Sequence, residues 1–270
     1  MHPSRHRYHE IIGFTNIFKG GTQKTSLLRR EKQVEPKIPL VGIRKLSTVD
    51  YPEKLCMDLT IAGCNYRCPF CPHEDLIFHY IPMEKTDPDE FVKMIRPRLG
   101  FLDGVSISGG EPLLHRELLD FLKDLKFNGS LVKINTNASK PKMIELLLEK
   151  DLVDYFSVFV PGPIGKYKKI VNYNIDMEDV ENSIQMIRKS GLDHDFRVKP
   201  VPGIVDEPEL LEIANYLVGA PRFVIEYFEP KKSMDSACRH LNPYTEEQLR
   251  EMKKKIAPFF NETLIKPLSV

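Results

Sequence analysis

No stretch of the 270-residue chain approaches the ~20 consecutive apolar residues that a membrane-spanning helix requires, and its first residues lack the apolar core of a secretory signal. Arg29-Arg30 is not followed by an apolar run either, so a twin-arginine signal is not expected. Cysteine is scarce: five residues, an odd number with three of them clustered, exclude a disulfide framework and point to a reducing compartment. The expected location is cytoplasmic, with no membrane partner. Net charge is nearly absent as well, at +1, but it is unevenly spread. Residues 1–39 carry eight Lys/Arg against three Asp/Glu (+5), leaving 31 against 35 (−4) for the rest. That first segment shows no sustained apolar period and reads as a basic tail; a nucleic-acid role is left open, because a basic run alone is weakly specific. Gly20 to Thr25 does not have the G-x4-G-K-[ST] spacing of a phosphate loop.

What the chain does have is Cys64-Asn65-Tyr66-Arg67-Cys68-Pro69-Phe70-Cys71, three thiols at C-x3-C-x2-C. A 4Fe-4S cube normally takes four cysteines, so three close ones suggest an iron reserved for a reacting ligand. Structural zinc is the alternative, with His73, His79 or Cys238 as a fourth ligand. Zinc pairs, however, are usually spaced C-x2-C or C-x4-C with a second pair downstream, and none is present here. Cys56 reads as a small core residue and Cys238 as a free thiol.

From about residue 40, short apolar runs alternate with amphipathic stretches, the pattern of strand-helix units around a parallel sheet. Strands are predicted at Leu55–Ile61, Gly104–Ser108, Leu131–Asn135, Val153–Val160, Phe196–Val201 and Phe223–Phe228. Helix starts are signalled by Asp87-Pro88-Asp89-Glu90, by Asp206 with Glu209 and by Thr245 with Gln248. Leu114, Leu118, Phe121 or Leu122, and Leu125 make one apolar helix face and are read as core. Six units are fewer than a closed barrel needs. The expected fold is therefore α/β, an incomplete (β/α)6 TIM-like barrel of parallel strands over residues 40–230, with a tail at 1–39 and a helical extension at 231–270. In such folds chemistry sits at the C-terminal strand ends. There the cysteines follow the first predicted strand, Gly109-Gly110-Glu111-Pro112 the second, Asn135-Thr136-Asn137 ends the third and Pro202-Gly203 follows the fifth. Gly109 and Gly110 can bring backbone against a ligand, and Glu111 offers a carboxylate at a helix start.

Cys64-x3-Cys68-x2-Cys71 followed by Ser108-Gly109-Gly110-Glu111-Pro112 resembles the radical S-adenosylmethionine superfamily over roughly residues 40–230. The resemblance implies a 4Fe-4S cluster on Cys64, Cys68 and Cys71 and S-adenosylmethionine chelated to the open iron. Reductive cleavage would yield methionine and a 5'-deoxyadenosyl radical that abstracts hydrogen. It also implies cofactor contacts from Phe70 (adenine), Gly109 and Gly110 (methionine amino group), Glu111 (support of that turn) and Asn135 (ribose or methionine). Arg197 would neutralise a carboxylate, unless it serves as an interstrand ion pair. A reductant such as flavodoxin or ferredoxin is implied as partner.

Ile43-Arg44-Lys45-Leu46-Ser47-Thr48-Val49-Asp50-Tyr51-Pro52, Leu152-Val153-Asp154-Tyr155, Val201-Pro202-Gly203 and Tyr244-Thr245-Glu246-Glu247 are similar to the glycyl-radical-enzyme activases, which implies a glycyl radical enzyme as substrate. Two departures stand out. Asn135-Thr136-Asn137-Ala138 replaces Asp-Thr-Asn-Gly, and Phe159-Val160-Pro161 replaces Asp-(Ile/Leu)-Lys. Loss of those charges predicts a less polar active site. The alternatives are the same radical chemistry on a small molecule, nucleoside or RNA, and a metal-bound scaffold without turnover.

Overall fold

The structure is a computed structural model that describes residues 38–266; the basic segment, apart from its last two residues, lies outside them. Eight strands form one sheet in sequential order: β1 (Leu40–Ser47), β2 (Cys56–Ile61), β3 (Gly104–Gly109), β4 (Leu131–Thr136), β5 (Tyr155–Phe159), β6 (Asp193–Val198), β7 (Arg222–Glu226) and β8 (Glu262–Lys266). β1 pairs antiparallel with β2, and every later neighbour pair is parallel. β1 and β8 are the two edges, so the sheet is an incomplete barrel as the sequence predicts. No helix among the described residues is long and apolar enough to cross a membrane.

The six predicted strands are β2 to β7. Their alternation decides which way each residue faces. Met57, Leu59 and Ile61 of β2, Val105 and Ile107 of β3, Val132 and Ile134 of β4, and Phe156 and Val158 of β5 are all buried in the core. Most alternate positions are polar: Asp58 and Thr60, Ser106 and Ser108, Lys133 and Asn135, Ser157, and Asp195 and Arg197, with Phe159 among the apolar exceptions. Closed barrels of this type fill their interior with branched apolar side chains. Here the apolar residues pack outward under the helices, and the inward positions leave a polar interior.

The helices follow their signals. Asp87 accepts from Asp89 N at 2.8 Å and opens Pro88–Ile95. Thr245 and Gln248 form a reciprocal capping box before Glu246–Ile256. Leu118, Phe121, Leu122 and Leu125 are buried on one face of Leu118–Phe127, as predicted, while Leu114 ends a separate 3-10 turn, Pro112–Leu114. Beyond residue 230 the described residues supply more than the expected helix: they include β8, hydrogen-bonded to β7.

Candidate active site

The turns after β2, β3 and β4 are tied together by backbone before any ligand is considered. Gly110 N donates to Ile61 O at 2.8 Å and Glu111 N to Gly63 O at 2.7 Å, so the end of β3 is laced to the residues just before Cys64. The cysteine loop itself is held from three sides. Arg67 N donates to Val171 O, Met234 N to Cys71 O and Asp235 N to Pro69 O, while Cys71 N closes a turn on Cys68 O at 3.0 Å. The Arg67 guanidinium donates to Cys64 O at 2.6 Å.

All three thiols face one cavity of about 720 Å³, inside the ~300–1,000 Å³ range of ligand sites. Burial pushes the Cys64 thiol up to about 12 and raises Cys68 and Cys71 too. They are therefore thiols at neutral pH until a metal displaces their protons. Among the described residues no three His, Cys, Asp or Glu side chains are gathered closely enough to hold one metal ion. Cys64, Cys68 and Cys71 all line this one cavity, as ligands of a shared metal centre must. Of the zinc alternatives, His73 lines this cavity, whereas His79 and Cys238 do not.

Phe70, Gly109, Gly110, Asn135 and Arg197 line the same cavity. The Phe70 ring is buried and meets Phe159, at the end of β5, edge-on at 6.4 Å. Gly109 has φ +114°, and a Cβ there would lie 2.3 Å from Ile61 O. Asn135 gives its amide nitrogen to Ile107 O at 2.9 Å and Ser106 Oγ at 3.1 Å. Arg197 donates to Glu226 at 2.9 Å, the interstrand ion pair, while its Nε, without a hydrogen bond, lies 3.8 Å from the Asp195 carboxylate. Burial works against the charge of each, yet Arg197 holds Glu226 down to about 2, with Lys199 and Lys266 adding to it.

Glu111 is elsewhere. It is fully buried behind the cavity wall and accepts from Asn137 N at 2.6 Å, Thr136 Oγ1 at 2.8 Å and Leu113 N at 3.0 Å. It thereby bolts the end of β4 to the turn after β3. Burial pushes its carboxyl up to about 7, with those donors pulling it back. A carboxyl raised in the folded state contributes stability that is fully present below its ordinary value and lost as pH rises through the folded one. Glu111→Gln should thus flatten the dependence of stability on pH between about 4.5 and 7. It should also cost about 1–3 kcal/mol, since an amide NH2 must face a donor. Urea unfolding at several pH values measures both; an unchanged slope removes Glu111 as the titrating group.

The cavity carries charge despite the two motif departures. Phe159 replaces an aspartate and packs on Phe70, but charge arrives from Asp58, Lys199, Glu226 and Lys266, all on the lining. Asp58 carries Ser108 Oγ at 3.2 Å, and burial, then Asp50, push its carboxyl up to about 6. Lys199 and Asp58 were absent from the motif reading. Their signal was the period-two alternation of Arg197-Val198-Lys199 and Asp58-Leu59-Thr60. Asn137, which the sequence places at the catalytic face only as part of Asn135-Thr136-Asn137, has its Nδ2 2.9 Å from Asn65 Oδ1 and 4.0 Å from Cys64 Sγ. Ala138 beside it has φ +59°, the conformation that the glycine of the related motif favours, and its N–H donates to Thr136 Oγ1 at 3.0 Å.

Known proteins agree with this architecture. The profile of the Radical SAM superfamily matches residues 59–216. A Methanocaldococcus jannaschii protein provisionally named glycyl-radical enzyme activating enzyme MJ1227 is 30% identical over 234 residues, 84% of this chain and 95% of that protein. The pyruvate formate-lyase-activating enzyme of Staphylococcus epidermidis is 36% identical over 104 residues, 37% of this chain and 41% of its own. In fold alone, the chain is similar to Streptococcus suis SuiB (TM-score 0.58, 14% identity, 75% of this chain and 47% of that one). QueE from Escherichia coli is similar too (TM-score 0.51, 11% identity, 85% and 94%). With the profile covering more than half of the chain and the cysteine loop opening onto an incomplete barrel, the protein belongs to the radical SAM superfamily and is a radical S-adenosylmethionine enzyme.

Proposed function

We propose that this chain is a glycyl-radical-enzyme activating enzyme, with a 4Fe-4S cluster on Cys64, Cys68 and Cys71 and a glycine of a partner protein as hydrogen donor. The observation that carries this reading is the convergence of those cysteines, Phe70 and the Gly109-Gly110 turn on one cavity, in a chain 30% identical over most of its length to a protein named as such an activator. When bound, the reduced cluster supplies the electron that cleaves S-adenosylmethionine to methionine and a 5'-deoxyadenosyl radical.

The chain's own residues bind and orient. Phe70, braced by Phe159, offers an apolar wall for adenine. Gly109 and Gly110 keep side chains away from the methionine end. Asn135, its amide nitrogen given to Ile107 O and Ser106 Oγ, lines the wall for the ribose, and Arg197, paired with Glu226 and with Nε 3.8 Å from Asp195, supplies positive charge beside a carboxylate. Glu111 acts at one remove, by fixing Thr136 and Asn137. A glycine has no side chain to grip, so recognition must use backbone N–H and C=O groups. The polar interior suits that task, and the open side between β1 and β8 gives a protein segment a way in. In this reading residues 40–230 are the catalytic barrel, 231–270 an extension of it and 1–39 a tail, and the reductant is a cytoplasmic flavodoxin or ferredoxin.

The test is anaerobic reconstitution with iron and sulfide, dithionite reduction with S-adenosylmethionine, and quantification of 5'-deoxyadenosine with and without the glycyl radical enzyme of the same genome. Cleavage together with a glycyl radical signal in electron paramagnetic resonance (EPR) on the partner is expected. Cleavage stimulated by nucleosides or RNA, with no glycyl signal, would move the substrate to small molecules or RNA. A colourless, zinc-loaded protein without cleavage would leave a scaffold.

A further inference from the structure

The cysteine loop and the end of β4 share a hydrogen-bonded network. Glu111 accepts from Asn137 N at 2.6 Å, and Ser139 N donates to Asn137 Oδ1 at 3.0 Å. Asn137 Nδ2 donates to Asn65 Oδ1 at 2.9 Å, and Asn65 Nδ2 donates to Ser139 Oγ at 2.9 Å. Asn65 and Asn137 are both buried, and each amide is held by partners within this network.

An amide nitrogen has two hydrogens. One of those on Asn137 is taken by Asn65, and the second is left beside Cys64 Sγ, 4.0 Å away. Among the described residues this is the one side-chain nitrogen donor at any of the three cysteine sulfurs; the backbone N–H of Tyr66 also reaches Cys64 Sγ, at 3.4 Å. Both donors therefore act on the same ligand. A donor aimed at a cluster sulfur stabilises the reduced, more negative state and raises the reduction potential.

From this geometry we infer that Asn137 is a positioning residue that sets the reduction potential of the cluster through Cys64. The amide contacts neither S-adenosylmethionine nor substrate in this role. It raises the fraction of cluster that a given reductant can load with one electron, and the network from Glu111 keeps its N–H pointed at sulfur. This rests on the proposed 4Fe-4S cluster on the three cysteines.

The experiment is a dithionite-poised redox titration of the reconstituted full chain, following the reduced-cluster signal by EPR at equal iron content. Asn137→Leu should lower the reduced-to-oxidised ratio about tenfold at a fixed solution potential, a downward shift of about 59 mV for one electron. Asn137→Asp, which keeps the shape of the side chain and can stand in if the leucine variant fails to load, should shift the same way by at least as much. Ser139→Ala removes only the acceptor of Asn65 Nδ2, keeps its own backbone N–H on Asn137 Oδ1 and the Asn137 N–H on Glu111, and should titrate like the wild type. Unshifted Asn137 variants, or a Ser139→Ala shift equal to theirs, would overturn the inference while leaving the cluster in place. A wild-type protein with no reduced 4Fe-4S signal would instead overturn the cluster assignment itself.

Discussion

A Cys68→Ala protein is expected to emerge from reconstitution with background iron, no brown colour and no 5'-deoxyadenosine formation. Cys68 is the most enclosed of the three thiols and sits on the turn that Cys71 N closes on Cys68 O. Without it, two thiolates remain for a cluster that needs at least three, and no other cysteine lines the cavity. His73 is the one zinc-alternative ligand that lines the cavity, and Cys238 is buried in a short helix, Ser236–Arg239, away from the lining. Two controls separate ligand loss from general damage. Cys56→Ala alters a satellite cluster with Tyr51 and Tyr155, and Cys238→Ala alters core packing; both should keep wild-type iron. Each loses a small buried side chain, a matter of about 1 kcal/mol per methylene-sized group. Normal iron and cleavage in Cys68→Ala would sink the ligand assignment, and iron loss in Cys238→Ala would make that thiol a ligand.

The cysteine spacing and the Gly-Gly-Glu-Pro turn were readable because chemistry fixes both the residue type and the interval. The six inner strands were readable because their apolar residues point one way, outward. The same feature hid part of β6: Asp193, His194 and Asp195 precede the apolar residue at which the strand was expected to begin. β1 and β8 escaped for a different reason. They are edges, with Arg44, Lys45 and Leu46 exposed in one and Glu262 and Leu264 in the other, so neither shows a clean alternation.

The charge on the lining was not legible from two motif positions, because it follows the sheet. Facing the interior is a property of strand register, and a charge lost after β5 reappears as Lys199 after β6. Asn137 had no signal apart from its motif. Its role depends on the loop around Cys64 folding back onto β4, seventy-odd residues away in sequence.

Gly110→Ala is expected to be nearly as damaging as loss of a ligand, although it adds a single methyl group. A Cβ at Gly110 would lie 2.0 Å from Gly63 O and 2.6 Å from Gly63 C, and both are backbone atoms that no rotamer change can move. The sequence suggests that these glycines admit a ligand; the structure shows that Gly110 first admits the backbone of the residue preceding Cys64. To accept the methyl group, the end of β3 must separate from that backbone. The bond from Glu111 N to Gly63 O at 2.7 Å then breaks, and Cys64 moves with it. His115, whose ring nitrogen meets Ala62 O at 3.0 Å, braces the same segment and opposes the shift. Iron content should therefore fall below the wild-type value. S-adenosylmethionine affinity, measured on whatever cluster remains, should fall at least about tenfold, or about 1.4 kcal/mol. Gly165→Ala is the matched control, with nothing within 4 Å of its added carbon, and should match the wild type in both measurements. If Gly110→Ala also loads iron fully and binds the cofactor normally, the close approach of β3 to the cysteine loop is not what positions Cys64.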